Sequence, residues 1–313
     1  MPHNGRVPRR LEPWQKAALA IALVAAAIAL AWWRTSSEFD APRMIAALPS
    51  DHAVVFYANV AALRRAGILD LLAGSKAAED ADYRRFVNDV GFDYRTDLDA
   101  VAAAFVDGSS YFTVRGRFQW NRLNAYAKAQ GGECRASLCN MPGNSVGRQI
   151  SFLELQPGVM ALAVTANPDG VTRIAPNSRT ALVPIPAEPV WITAPSSELN
   201  KPGVLSPALL GMLGPVARAE RITLALGPHD QNAQLRLSVD CKSPEDAATA
   251  MHDLSSAMDT LKSAPPATIP TAAQPDWLGL LRSGSLSASG TEVSGIWPLD
   301  RAFLNGLFSA GPF

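Results

Sequence analysis

Three cysteines, four histidines and a cluster of aspartates are the residues of this 313-residue chain best suited to chemistry. Cys134 and Cys139 are separated by Arg-Ala-Ser-Leu. That spacing is not C-x-x-C, and no second cysteine pair or histidine cluster supports a redox or metal role. A structural disulfide is the expectation, contributing about 2 kcal/mol in the loop-entropy picture. Two free thiols are the alternative. Cys241 ends an apparent strand and reads as a small buried hydrophobe. His3, His52, His229 and His252 show no ligand spacing, so no metal is expected. Asp89, Asp93, Asp97 and Asp99 are crowded in DVGFDYRTDLD but lack the order and central glycine of an EF-hand loop. Helix caps and turn residues account for them better. The chain has no G-x-S-x-G, S-x-x-K, P-loop or G-x-G-x-x-G motif, so neither a catalytic residue nor a cofactor is expected. In Tyr111–Phe118 alternation sends Phe112, Val114 and Phe118 one way and Thr113, Arg115 and Arg117 the other. Arg115 and Arg117 are the candidate face for an anionic partner.

Composition sets the frame for these side chains. Apolar residues are 48% and charged residues 18%, enough to bury a real core. The 28 basic and 28 acidic residues balance, but not evenly along the chain. Five basic residues (Arg6, Arg9, Arg10, Lys16, Arg34) and one acid (Glu12) lie within 1–34, leaving 23 basic against 27 acidic residues, a net of −4, for the remainder. A mildly acidic body argues against nucleic-acid binding, which needs basic patches.

Ala17–Trp33 is a run of seventeen uncharged residues: nine Ala, six Leu, Ile or Val, and two Trp. As a helix it is about 25 Å long, at the short end for a bilayer core. Trp14 and the Trp32-Trp33 pair fall about 28 Å apart, where interfacial aromatic belts form. Basic residues precede the run, so residues 1–16 are expected in the cytoplasm and the body beyond the bacterial inner membrane. A cleaved signal is the competing reading, since Ala29-Leu30-Ala31 resembles a cleavage site. The length of the run and the two Trp beyond that site favour a single-pass signal-anchor. Both readings export the body.

Residues 34–50 form a connector, followed by a strand over 52–60 and helices bearing Leu63, Ile68, Leu69, Leu72 and then Tyr83, Phe86, Val90. A hairpin over 101–118 turns at Asp107-Gly108, the strongest local hairpin signal in the chain. A helix near 120–130 and strands at 148–155 and 159–165 complete module 1, residues 51–176. Residues 177–189 are a Pro-rich linker. Module 2, residues 190–313, repeats the order of elements: a strand at 190–193, a helix at 205–214, a hairpin over 221–241, a helix over 244–262, strands at 283–288 and 291–297, and a last helix near 299–308. Residues 263–276 read as a Pro/Ala/Thr insertion. The fold class is α+β: one transmembrane helix and then two split-βαβ-like modules of mainly antiparallel sheet, separate or paired through a common sheet.

YFTVRGRFQWNR (111–122) resembles the RNP1 motif of RNA-recognition domains over about six residues, departing at Arg117. An RNA partner does not fit an exported body. LPSDHAVVFYANVAALRRAGILDLL is similar to the opening of bacterial membrane-anchored extracytoplasmic domains of unknown function, and the layout resembles single-pass components of secretion or pilus assembly machines, which place ferredoxin-like modules beyond one membrane helix. That resemblance implies no catalytic residue. The expected function is a non-enzymatic, membrane-tethered component of the bacterial envelope that binds or scaffolds other envelope proteins. An envelope hydrolase with a site between the modules and a small-ligand or lipid carrier are the alternatives.

Overall fold

Alternating apolar runs broken by Gly, Pro, Asn and Asp turns give the chain its strands, and 3.6-residue apolar stripes give its helices. The computed structural model describes residues 39–69, 81–175, 183–199, 201, 219–229, 232–263, 277–300 and 303. The elements below all lie within one compact unit, residues 41–313. In chain order they are α1 (Ala41–Ala46), β1 (Val54–Ala58), α2 (Val60–Arg65), α3 (Ala81–Val90), α4 (Tyr94–Asp97), β2 (Leu98–Val106), β3 (Ser109–Gly116), α5 (Trp120–Ala129), β4 (Glu133–Arg135), β5 (Leu138–Pro142), β6 (Gln149–Gln156) and β7 (Val159–Thr165). A 3-10 turn at Gly170–Arg173 follows, then β8 (Val190–Pro195), α6 (Ser196–Leu199), β9 (Ala219–His229), β10 (Asn232–Cys241), α7 (Pro244–Ser263), α8 (Trp277–Ser283), β11 (Ser285–Ser289) and β12 (Glu292–Leu299).

Local chemistry fixes several boundaries. Asp107 and Gly108 both take positive φ, 49° and 67°, making the tight turn between β2 and β3. Asn59 caps α2, its Oδ1 accepting from the Ala62 amide at 2.9 Å. Ser243 caps α7, accepting from the Asp246 amide at 3.1 Å and donating to the Asp246 carboxylate at 2.8 Å.

All twelve strands form one sheet, in the order β11-β12-β10-β9-β8-β1-β2-β3-β7-β6-β5-β4. Every neighbouring pair is antiparallel. The fold class is therefore α+β with a large antiparallel sheet. The strands up to β7 and those from β8 onward occupy separate stretches of the sheet, here termed the first and second halves. They meet where β1 pairs with β8: Val55 opposite Thr193, Phe56 opposite Ile192, Tyr57 opposite Trp191, Ala58 opposite Val190. Outward from that junction the first half runs β1-β2-β3-β7-β6 and the second β8-β9-β10-β12-β11, the same order. The first half continues with the β5–β4 hairpin, an element absent from the sequence expectations. Its strands of five and three residues are too short to display a period.

The sheet has two unlike faces. On one, α2, α3 and α5 cover the first half through Leu63, Val90, Leu123 and Phe152, while α7 and α8 cover the second through Ala247, Ala250, Met258, Leu280 and Trp297. Met251 and Leu254 of α7 pack against the same core, and the side chain of Leu261 lies outside the described residues. The opposite face mixes small and polar side chains with the large buried rings of Tyr57, Tyr111 and Trp191. Ala100, Ala102, Ala104, Thr113, Ser151, Ala161, Ala163, Thr193 and Thr223 are all buried. Their small size lets α1 lie close on the strands: the Thr113 hydroxyl donates to the Met44 carbonyl at 3.0 Å, and Ser151 Oγ accepts from the Val171 amide at 3.0 Å. Hydrogen bonding offsets the cost of burying these hydroxyls.

On the Thr113 side of β3, Tyr111 and Thr113 are 2% and 0% exposed, while Arg115 is half-buried and Arg117 exposed. Alternation identified the two sides, but α1 and the 170–173 turn cover the more polar one. The Tyr111 hydroxyl accepts from Arg173 Nη1 at 2.9 Å.

Among the described residues no helix is long and apolar enough to cross a membrane. Ala17–Trp33, with Trp14, Trp32 and Trp33, lies outside those residues, as do the expected helix at 205–214, Leu72 and most of 263–276 and 299–308.

Trp297 rests against two glycines. A Cβ on Gly284 would come within 1.9 Å of the Trp297 Nε1, and one on Gly295 within 2.4 Å of its ring. Trp297 is 7% exposed and hemmed in by Leu280 and Leu299. Gly284→Ala and Gly295→Ala are each expected to destabilise the protein by about 1–3 kcal/mol through overpacking, read as a lower urea midpoint at unchanged slope.

Candidate functional site

Among the described residues, the helical layers do not close over the middle of the sheet. On that face Phe56, Ile192, Leu224 and Leu237 form one cross-strand row through the β1–β8 junction, and Val54 and Phe105 pair beside it. Phe105, Ile192 and Leu224 remain 39%, 39% and 40% exposed. Most large apolar side chains on this sheet are covered, so these three, clustered at the junction, are an informative exception, with Ile296 of β12 exposed alone on the opposite face.

From this row a groove of about 350 Å³ runs under α8 in the second half. Its floor is Ile192, Leu224 and Leu237, and Leu280, Leu281 and Trp297 form a wall. The volume lies within the range of small-molecule sites, about 300–1,000 Å³. Every described residue lining it is apolar, and the lining holds no carboxylate, imidazole, hydroxyl or thiol. It offers no nucleophile and no proton-transfer group, so its chemistry is that of non-polar burial. The Trp297 Nε1 is buried without a hydrogen-bond partner, pressed against Gly284.

A polar pocket of about 310 Å³ lies by the opposite face, lined by Ser50, Asp51, His52, Glu220, Arg221 and Asp240. Serine, histidine and carboxylates meet there, but no hydrogen bond joins Ser50 to His52 among the described residues. His52 is solvated, its Nε2 3.6 Å from the carboxylate of Asp51 beside it. This is not the geometry of an activated hydroxyl. Burial lowers the Arg221 pKa, and Arg221 Nη1 donates to Thr193 Oγ1 at 3.5 Å. Burial first, and then the charge of Glu292 directly opposite, raise the Asp240 carboxyl.

The other sequence candidates lie apart from the groove. Arg117 hydrogen-bonds the Thr96 carbonyl and pairs with Asp97 at 3.1 Å, holding α4 against the end of β3. Arg115 sits opposite Ala100 and Val159 in the sheet. Asp93 caps α4 by accepting from the Arg95 amide at 2.9 Å, and it also accepts the Tyr83 hydroxyl at 2.8 Å. Asp99 faces Arg64 at 3.8 Å. Cys134 and Cys139 are opposite one another across β4–β5 and joined by a disulfide, both sulfurs resting against Asn124. Cys241 is buried, and burial followed by the charge of Asp246 raises its thiol pKa.

The groove residues carry no sequence signal of their own. Ile192, Leu224, Leu235 and Leu237 alternate as any half-buried strand does. Only the gap between helices distinguishes them from core.

No protein-family model and no curated protein matches the chain. Three crystal structures of TP0453 resemble it, each at 12% identity. Crystal form III has a TM-score of 0.47 over 87% of this chain and 99% of that one. Crystal form I has 0.46 over 87% and 100%, and crystal form IV 0.43 over 86% and 96%.

The Asp240–Glu292 pair gives a pH signature. Because the folded state raises the Asp240 pKa, it holds a proton there more tightly than the unfolded chain does. This contribution to stability is lost as pH rises from the ordinary value of 3.8 through the raised folded value. Glu292→Gln keeps an acceptor for Ser238 Oγ, which donates to Glu292 at 2.7 Å, and removes the opposed charge. It is expected to stabilise the protein at pH 7 by about 0.2–1 kcal/mol, and denaturation at a series of pH values should show the gain vanishing below 3.8.

Proposed function

We propose that this protein is an exported, non-enzymatic binding protein of the bacterial envelope, tethered to the inner membrane by one helix, whose groove holds the aliphatic chain of a small ligand or lipid. The apolar groove at the β1–β8 junction is the observation that carries this reading. An extended peptide would bury amide groups there with nothing to pair them. An alkyl chain carries no polar group and fits a slot walled by Leu, Ile, Val and Trp side chains.

The tether and export rest on the Ala17–Trp33 run with Trp14, Trp32 and Trp33 at its ends, and on the basic residues preceding it. The Cys134–Cys139 disulfide suits an oxidising compartment. In this reading residues 51–176 and 190–313 are two modules fused edge to edge, the common strand order supporting it. An envelope protein contacting Arg115 and Arg117 is less favoured as the principal partner, since Arg117 is engaged by Asp97.

The test uses the full chain in a bile-salt detergent, which has no alkyl chain, with a fluorescent long-chain fatty acid as the probe. Saturable binding is expected. Ala194→Trp, which fills the groove from its floor, is expected to weaken it about 10-fold or more, or at least about 1.4 kcal/mol. Leu224→Glu, at a position already 40% exposed, should do the same without lowering thermal stability. Absence of probe binding, or equal binding by both folded variants, overturns the reading.

A further inference from the structure

The two halves of the sheet end differently although their strands follow the same order. In the first half β6 occupies the place that β11 holds in the second. Strand β5 covers the outer edge of β6 with five antiparallel pairs, from Leu138 opposite Leu153 to Pro142 opposite Gln149. The sheet then ends in the three residues of β4, which carry Glu133 and Arg135 and are stapled by the disulfide. A short, charged, crosslinked strand is a blunted edge. Among the described residues strand β11 has none of these protections: Ser285-Leu-Ser-Ala-Ser289 holds no charge and no proline, and Ser285, Ser287, Ala288 and Ser289 are exposed.

The side chains of β11 also match their own reverse. Leu286 and Ala288 lie on the helix-covered face, paired with Gly295 and Val293 of β12, and the three serines lie on the other. If two copies of β11 pair antiparallel about Ser287, Leu286 of one meets Ala288 of the other beneath the helices. Serine meets serine on the opposite face, and no like charges oppose. The chain already contains a junction of this kind, because β1 and β8 join the two halves antiparallel with both helical layers on one side.

We infer that β11 is a homodimerisation edge, and that a second copy of this chain extends the sheet through an antiparallel β11–β11 pair centred on Ser287. Five residues span about 17 Å, a contact at the small end of specific interfaces, so the dimer is reversible.

Sedimentation of the full chain in mild detergent, across a concentration series in the micromolar range, is expected to show a monomer–dimer equilibrium. Ser287→Lys places two ammonium groups opposite one another and is expected to leave only monomer. Ser287→Cys fixes the register. At the two-fold axis residue 287 faces itself at about 4.5–5.5 Å between Cα atoms, within disulfide reach, so diamide oxidation should yield a covalent dimer. Ser285→Cys places its copies four residues apart, about 13 Å, and should crosslink at least about ten-fold more slowly. Native Cys241 is buried and the other two cysteines are paired. A monomer at every concentration, a dimer indifferent to Ser287→Lys, or equal crosslinking at 285 and 287 overturns the inference.

Discussion

The rest of the structure depends on the pairing of β1 with β8. Four residue pairs there join a seven-stranded and a five-stranded arrangement into one continuous sheet. Each half then has its first strand in the interior, and the sheet ends at β4 and β11. Both sets of helices lie on the same face; α2 covers the Ala58–Val190 end of the junction, and among the described helices none covers its other end. Phe105, Ile192 and Leu224 are left half-open by this geometry, and the groove under α8 begins among them. Covering them with helix would require the two layers to meet over β1 and β8.

The opposite face solves another problem. A sheet buried on both sides needs a second layer, and the first half has only α1 and the 170–175 segment to supply it. Small side chains make that sufficient. Alanines at 100, 102, 104, 161 and 163 bring the strands and the covering chain together, and Thr113 and Ser151 bond directly to its backbone. Larger residues would hold α1 away and leave the Met44 carbonyl without its donor. In the second half this face becomes polar, through Arg221, Arg236, Ser238 and Asp240. The Arg236–Glu188 pair there, at 3.2 Å, is half-solvated at the arginine and contributes little to stability.

The strand and helix positions of both halves were legible because their signals are local. Asp107-Gly108 is a hairpin turn wherever it lies between apolar runs, and Ser243-Pro244 with Asp246 is a helix start. The α7 stripe carrying Met251, Leu254 and Met258 was legible as core for the same reason. Two things were not. The β4–β5 strands are too short to show alternation, and their presence rests on pairing with β6. Which side of β3 would be covered depends on α1, sixty-odd residues earlier, so Thr113 and Arg115 resembled a solvated face when read alone. The groove was illegible for a deeper reason: alternation places Ile192 and Leu224 on the apolar side of their strands, but exposure there is a property of the spacing between helices.

A site lined only by apolar groups has a characteristic energetics. With no charged group and no side-chain acceptor in its lining, and only the indole N–H of Trp297 as a donor, the groove has little with which to fix a headgroup or to separate two ligands that differ only in polar substituents. Affinity accrues by burial, about 0.8 kcal/mol for each methylene removed from water. It therefore rises with chain length until the slot beneath α8 is filled, and further carbons add nothing once they lie in solvent. Length and branching are what such a wall of Leu280, Leu281 and Trp297 can discriminate. The tight seat of Trp297 on Gly284 and Gly295 contributes to that discrimination. A ring wedged against two backbones cannot swing aside to admit a wider ligand, so the groove keeps its width.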